Sequence, residues 1–498
     1  MAGPFAAGAQ RDPGEETLMK TLIFFGLFFA AFLGLVAGAV SPLIAIAMFM
    51  VLFPLIFVLR DFRAGVVMVL ILVPFSSVSL VGHLYFLSTP EVLIGLTFGS
   101  FLLGWILDQR QLIMMPRIMW WRYLLPIGIA LCIGMTHLGE MSPLLVLRIG
   151  GEFGSKFKYL VEYGLRPMLF VLVAFMLANA VRTSAKPERF LIPIAISLAL
   201  FCAMLLTYIA LSGLGLTAIG GSRARNFLSP LGMHANEFGA FFGIGFVIFL
   251  FVLPSVRGLL SRVLVLALLG LSLIALLLTF SRGGYVLVAI GAAYFMFSRS
   301  QFKLAIWTGV ALVAVVMLMP QEFADRATTG LGAGKGGHDV MSRNTNDDEL
   351  TAGRAWLWRQ TFPAFYKSPL IGSGIASQAW SDAVRNGIVP TSQTHSFYLS
   401  MLYDTGLIGL TVMMSFFVFV FRSFRQVAAS AAAPPQIRAA MQGAAAALVG
   451  YGVMAFTNGL FWPRVENVML WCMFGICAAY LPKLEAEKKQ MAELAPAV

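Results

Sequence analysis

Apolar residues in this chain gather in long continuous runs instead of the alternating or three-and-four spaced stripes of a soluble protein. They fall at about 22–40, 42–59, 64–82, 90–107, 123–138, 167–181, 190–213, 236–253, 263–280, 283–297, 304–319, 397–421, 442–460 and 466–481. A helical run of this length crosses about 30 Å of hydrocarbon. The pattern predicts an all-α, polytopic integral membrane protein with about 12–14 transmembrane helices. The first run, Leu22 to Val40, lacks a cleavage-like small-residue end followed by soluble sequence, and it reads as a retained helix.

The segments between the runs set orientation. With the N-terminus in the cytoplasm, the loops expected inside are Arg60–Arg63, Arg110–Arg122, Arg182–Arg189, Arg257–Arg262, Arg299–Lys303, Arg422–Arg438 and Lys483–Lys489, and each carries at least two Lys or Arg. The expected organisation is a cytoplasmic tail at 1–21, a helical bundle at 22–319, a large outer loop at 320–396, C-terminal membrane helices at 397–481 and a cytoplasmic tail at 482–498. The outer side also receives loops at about 139–166 and 214–235. Within the large loop, Gly330 to Glu349 is Gly-rich and polar, whereas Ala352 to Tyr366 carries Trp356, Trp358, Phe362, Phe365 and Tyr366. That second stretch predicts a short amphipathic interfacial helix with Arg354 and Trp358 on one face.

Composition agrees: 59% of the 498 residues are hydrophobic and 12% charged. A net charge of +12 would suggest nucleic acid in a soluble protein. Here the basic residues flank apolar spans, so they set topology and no nucleic-acid partner is expected. The cysteines, Cys132, Cys202, Cys472 and Cys477, all lie within apolar runs, which indicates neither a disulfide framework nor a zinc site.

Several motifs are set aside on physical grounds. Gly332-Ala-Gly334-Lys-Gly-Gly337 has G-x-G-x-x-G spacing, but no strand precedes it and no amphipathic helix follows, so it does not read as a nucleotide site. Asp347-Asp348-Glu349 offers oxygen ligands for a divalent cation but reads more simply as a solvated acidic turn, and no metal or other cofactor is expected. His83, His137 and His338 have no chemically suggestive company and read as structural or solvated.

The candidate chemistry lies at the outer ends of spans. Arg282, in Thr279-Phe-Ser-Arg-Gly-Gly284, sits where one span ends and the next begins. An arginine in lipid costs on the order of 3 kcal/mol, so it faces a cavity, a partner or a headgroup. Snorkelling to phospholipid is the simple alternative, but the small neighbours let a phosphorylated ligand approach the backbone. His395, in Thr394-His-Ser-Phe-Tyr-Leu399, opens the span after the large loop; its imidazole can accept a proton near neutral pH, or it merely starts a helix. Arg354 is a third candidate, with a solvated helix face as its alternative. Arg223, Arg225 and His234 add cations and an imidazole to another outer loop, as candidate clamps for phosphate or sugar. Trp358 and Tyr398 stand beside the main candidates as aromatic substrate contacts.

The ordered set Thr279–Gly284, Gly353-Arg354-Ala-Trp-Leu-Trp358, Ser368-Pro-Leu-Ile-Gly-Ser-Gly374, Thr394–Leu399 and Gly406-Leu-Ile-Gly409 resembles the O-antigen ligase and polymerase superfamily of membrane glycosyltransferases. The resemblance covers residues 223–410. Ser396 stands where the family often has Asn after the motif histidine, and Asp404 where Glu is frequent. The resemblance implies an inner-membrane enzyme with a large periplasmic loop containing short interfacial helices. It implies an undecaprenyl-diphosphate-linked glycan as donor. The acceptor would be a hydroxyl of lipid A core in a ligase, of another lipid-linked repeat in a polymerase, or of Ser or Thr in a protein-glycosylating relative. Arg282 and Arg354 would hold the diphosphate in place of a metal, Arg223 or Arg225 would complete the clamp, and His395 would be the general base, with inversion at the anomeric carbon. Ligase-type transfer is the expectation. The rival is a lipid-linked sugar transporter or flippase, which would place ionisable residues near the midplane and show paired broken helices.

Overall fold

The computed structural model describes residues 57–78, 83–84, 87–108, 115–141, 143–213, 227–298, 354–389, 391–457 and 462–494. The expected spans at 22–40 and 304–319, nearly all of that at 42–59, the Gly-rich and acidic parts of the large loop, and the candidate cations Arg223 and Arg225 lie outside these residues.

Within them the chain is helical. In order come α1 Phe62–Leu72, α2 Thr89–Asp108, α3 Arg117–His137, α4 Pro143–Ile149, α5 Lys156–Thr183, α6 Pro187–Leu211, α7 Ala235–Val252, α8 Leu259–Leu278, α9 Arg282–Ser298, α10 Arg354–Thr361, α11 Asp382–Arg385, α12 Phe397–Ala429, α13 Pro435–Met454 and α14 Val468–Leu494. A two-residue antiparallel pair, β1 His83–Leu84 with β2 Leu87–Ser88, precedes α2. Among the described residues eight helices are long and apolar enough to cross a membrane, and two shorter apolar ones, Phe62–Ser77 and Arg282–Ser298, accompany them. The chain is an all-α polytopic membrane protein.

Two compact units divide the chain. The described part of the first is 57–66 with 96–108, held by the Phe62–Phe101 edge contact at 5.0 Å and by a 2.6 Å bond from Ser100 Oγ to the Val58 carbonyl. The second, residues 67–95 and 111–498, contains everything that follows.

Its core is built around α7, whose Phe238, Phe241, Phe242 and Phe251 are fully buried. The alanine-rich face of α13 lies against it so closely that a Cβ on Gly443 would come within 2.8 Å of the Ile248 Cα. Small residues at such crossings replace the hydrophobic drive that is absent in lipid with dense van der Waals contact. Outward faces are aliphatic, as with Ile192, Ile196 and Leu200 at four-residue spacing on α6.

Two elements depart from the sequence pattern. The segment 139–166, expected as a loop, folds into α4, a short turn at Gly151–Gly154 and the first three turns of α5. Ser155 starts α5 by accepting from the Lys158 amide at 3.2 Å, and polar residues such as Glu162 and Arg166 hide the helix from a hydropathy reading. The expected interfacial helix is α10, followed by a 3-10 turn at Phe362–Lys367.

Candidate active site

Helix directions bring the chemistry to one end of the second unit. Ser76 and Ser77 close the turn after α1, while Glu91, Glu162 with Arg166, Glu237 and Glu466 stand at or near the beginnings of α2, α5, α7 and α14. All of these line one cleft of about 910 Å³, a volume that includes space open to solvent. Glu237, Arg464 and Glu466 also line a second lobe of about 810 Å³ that contains His395, Thr394, Ser396, Ser400, Asp404 and Trp462. The two lobes are neighbours through those shared residues. Arg182 and Arg422 lie toward the far ends of α5 and α12, and Arg257 lies in the link beyond the far end of α7; at about 1.5 Å per residue, Arg182 is roughly 30 Å from Glu162.

His395 is half-buried and has φ of 54°, the left-handed region that β-carbon-bearing residues avoid. Its neighbours hold it there. Phe397 N–H donates to the Ala455 carbonyl at 2.9 Å, the Thr394 hydroxyl donates to the Ser396 carbonyl at 2.8 Å, and Gln378 Nε2 donates to the carbonyls of Thr391 and Gln393, each at 3.1 Å. The other non-glycine residues with positive φ among those described are Phe280, two positions before Arg282, and Ala376, which lines the His395 lobe. Strain of this kind persists only where surrounding contacts over-determine the backbone.

The motif glycines have a mechanical reason. α12 breaks at Gly406, with φ of 68°, and the amides of Leu407 and Ile408 turn to the carbonyls of Pro369 and Leu370 at 2.9 and 3.2 Å. The Ser368–Gly374 and Gly406–Gly409 motifs therefore clasp each other, and a Cβ on Gly406 would strike the Leu370 carbonyl. Gly374, with φ of 91°, packs on the backbone of Gly134 in α3. Asp404 Oδ1 accepts from both the amide and the hydroxyl of Ser377, at 2.9 and 2.7 Å, fixing the loop next to Ala376.

Arg282 is the first residue of α9. Ser281 caps that helix, its hydroxyl accepting from the Gly284 amide at 3.2 Å, and the same hydroxyl lies 3.1 Å from Asn236 Oδ1. The Arg282 and His234 segments are thus joined at one end of α7. Arg354 is the first residue of α10, and Trp358, one turn on, donates its indole N–H to the Thr394 carbonyl at 2.8 Å. The three principal candidates belong to segments tied together at this end, although neither Arg282 nor Arg354 is among the described residues lining the two lobes.

Two other expected site residues, His234 and Tyr398, also have structural partners. His234 is exposed at the start of α7, its amide donating to Glu237 Oε2 at 2.7 Å. Tyr398 donates its hydroxyl to the Gly452 carbonyl at 2.8 Å and packs on Phe456, so it fastens α12 to α13. His137 stacks on Trp380 with ring centres 5.3 Å apart, in keeping with a structural reading.

Sequence reasoning missed the ionic lining of the larger lobe. Glu91 Oε2 accepts from the Ser88 amide at 2.6 Å, its other oxygen lies 3.4 Å from Arg166 Nε, and Arg166 also pairs with Glu162. Arg464, an extended residue just before the 3-10 turn Val465–Asn467 that leads into α14, is braced by Asn467, whose Oδ1 accepts from the Arg464 amide at 3.1 Å. Burial works against its guanidinium charge, but the nearby carboxylates of Glu466, Glu237 and Glu162 outweigh this and hold its pKa above the ordinary value. The available signal was a carboxylate at or near the start of one apolar helix after another.

Comparison with known proteins agrees with this architecture. The chain matches no curated protein. The family model described as O-Antigen ligase matches residues 265–414, the segment that contains Arg282, Arg354, His395 and Asp404.

Proposed function

We propose that this protein transfers a glycan from a polyprenyl-diphosphate carrier to an acceptor hydroxyl on the non-cytoplasmic face of the inner membrane, in the manner of an O-antigen ligase. The observation that carries the reading is His395, held at positive φ in a polar cavity at one end of a helical bundle, inside the O-antigen ligase segment. In the reaction the acceptor oxygen attacks the anomeric carbon, the bond from that carbon to the diphosphate oxygen breaks, and the polyprenyl diphosphate leaves with the electron pair. His395 takes the hydroxyl proton as the new bond forms. Arg282 and Arg354 counter the charge growing on the diphosphate, and the first turns of α9 and α10 add the positive ends of their helix dipoles. Attack opposite the leaving group inverts the anomeric centre.

The clustering of ionisable residues at one end of the bundle favours this reading over a flippase, which needs them along a path through the membrane. The test is the glycan profile of a deletion strain. Retained lipid-linked polymer with bare core supports a ligase; a product limited to single repeats assigns the chain as a polymerase; an unchanged profile rejects both.

A further inference from the structure

Both lobes carry more carboxylates than guanidiniums, the His395 lobe with Glu237, Asp404 and Glu466 against Arg464. The larger carries Glu91, Glu162, Glu237 and Glu466 against Arg166 and Arg464, four carboxylates to two guanidiniums. Such a surface disfavours a diphosphate and suits a ligand that offers hydroxyl or ammonium hydrogens. Among the described residues no group of three or more His, Cys, Asp or Glu is arranged to hold a metal ion.

Further atoms point to a polar ligand. Trp462 lines the His395 lobe and is 4% exposed, and its indole N–H is buried with no acceptor among the described residues. The hydroxyl of Ser77, in the larger lobe, is likewise buried with no partner among the described residues. Buried donors in native proteins are nearly always satisfied, and here both belong to the walls of an open cleft. Some of the carboxylate capacity is already used, by the Ser88 amide on Glu91 and the His234 amide on Glu237, but Glu237 and Glu466 stand at the junction facing both lobes.

We propose that the larger lobe, with its junction to the His395 lobe at Glu237 and Glu466, is the acceptor subsite, taking the terminal sugar of a lipid-anchored saccharide in an uncharged or amino-bearing form. Glu237 and Glu466 receive its hydroxyl hydrogens, Trp462 donates to a ring substituent, and the hydroxyl so positioned reaches His395. The donor diphosphate is kept on the side of Arg282 and Arg354 by repulsion from the same carboxylates. This assignment rests on the glycosyl-transfer reading above and adds where the acceptor binds and which charge it carries.

The test uses the full-length protein in lipid nanodiscs with a polyprenyl-diphosphate oligosaccharide as donor. Two acceptors are compared: a lipid-anchored oligosaccharide ending in an unsubstituted hexose, and the same molecule phosphorylated on that hexose. Trp462→Phe keeps the ring and removes the donor, so KM for the plain acceptor should rise roughly 10-fold while donor KM and thermal stability stay unchanged. Glu466→Gln should raise the same KM and narrow the preference for the unphosphorylated acceptor. Should Glu466→Gln fail to fold, Trp462→Phe decides alone. Transfer by the wild type with acceptor KM unaltered in the folded variants, or with only donor KM altered, overturns the subsite and leaves the enzyme reading intact. Absence of any transfer by the wild type overturns both.

Discussion

The indole of Trp358 donates to the carbonyl of Thr394 across 2.8 Å, so the helix that begins with Arg354 is fastened to the residue just before His395. A candidate phosphate clamp and a candidate base, 41 positions apart in the chain, thereby share one support. Trp358→Phe keeps the aromatic surface and leaves that carbonyl without its donor, a loss of about 1 kcal/mol. Turnover should fall several-fold, with donor KM and melting temperature nearly constant. Wild-type kcat in the purified variant would show that the tie has no part in positioning His395.

Arg282 offers a sharper test because its charge can be kept while its shape is changed. A guanidinium binds two phosphate oxygens at once, whereas an ammonium acts as a point charge. Arg282→Lys should lower kcat/KM by roughly 10- to 100-fold, the usual range for losing one charge-assisted bond. Parallel donor-binding measurements should show the same direction. Full activity at equal expression would make Arg282 a headgroup anchor for the start of α9.

Much of the fold was legible because lipid imposes one rule, that backbone polar groups be satisfied within each segment, and long apolar runs answer it with helices. The runs at 236–253 and 283–297 match α7 and α9 closely. The start of α5 was not legible, since Glu162 and Arg166 pair with each other and so enter a helix that a hydropathy window ends too soon. The site divides in the same way. His395, Arg282 and Arg354 stood out as polar residues at span ends within recognisable motifs. Arg464 and Glu466 did not, because their meaning depends on Glu237, which is more than 200 positions earlier, and only packing brings them to one cleft.

Sidedness is open to direct measurement. Asn386, just beyond α11, and Ala185, between α5 and α6, are both exposed and lie at opposite ends of the second unit. The basic residues near Ala185 predict that this end is cytoplasmic. With the exposed native Cys132 replaced by Ser, Asn386→Cys should react with a membrane-impermeant maleimide when only the outer membrane is opened. Ala185→Cys should react only after the inner membrane is permeabilised. The reverse pattern would place the cleft in the cytoplasm, where a periplasmic transfer cannot occur.

The role of His395 calls for a substitution that respects its backbone. At φ of 54° an alanine is strained, while asparagine is among the residues that tolerate the left-handed region. His395→Asn should therefore keep membrane insertion, melting temperature and donor affinity while losing roughly 10²–10⁴ in rate, the usual contribution of general-base catalysis. The wild-type enzyme should also lose activity on the acid side as the imidazole takes up a proton and can no longer accept one from the acceptor. In His395→Asn the small remaining rate should not show that acid limb. Near-normal turnover in the variant, or an unchanged acid limb, would move the base elsewhere, and His234, at the start of α7 and joined to Glu237, would be the next imidazole to replace.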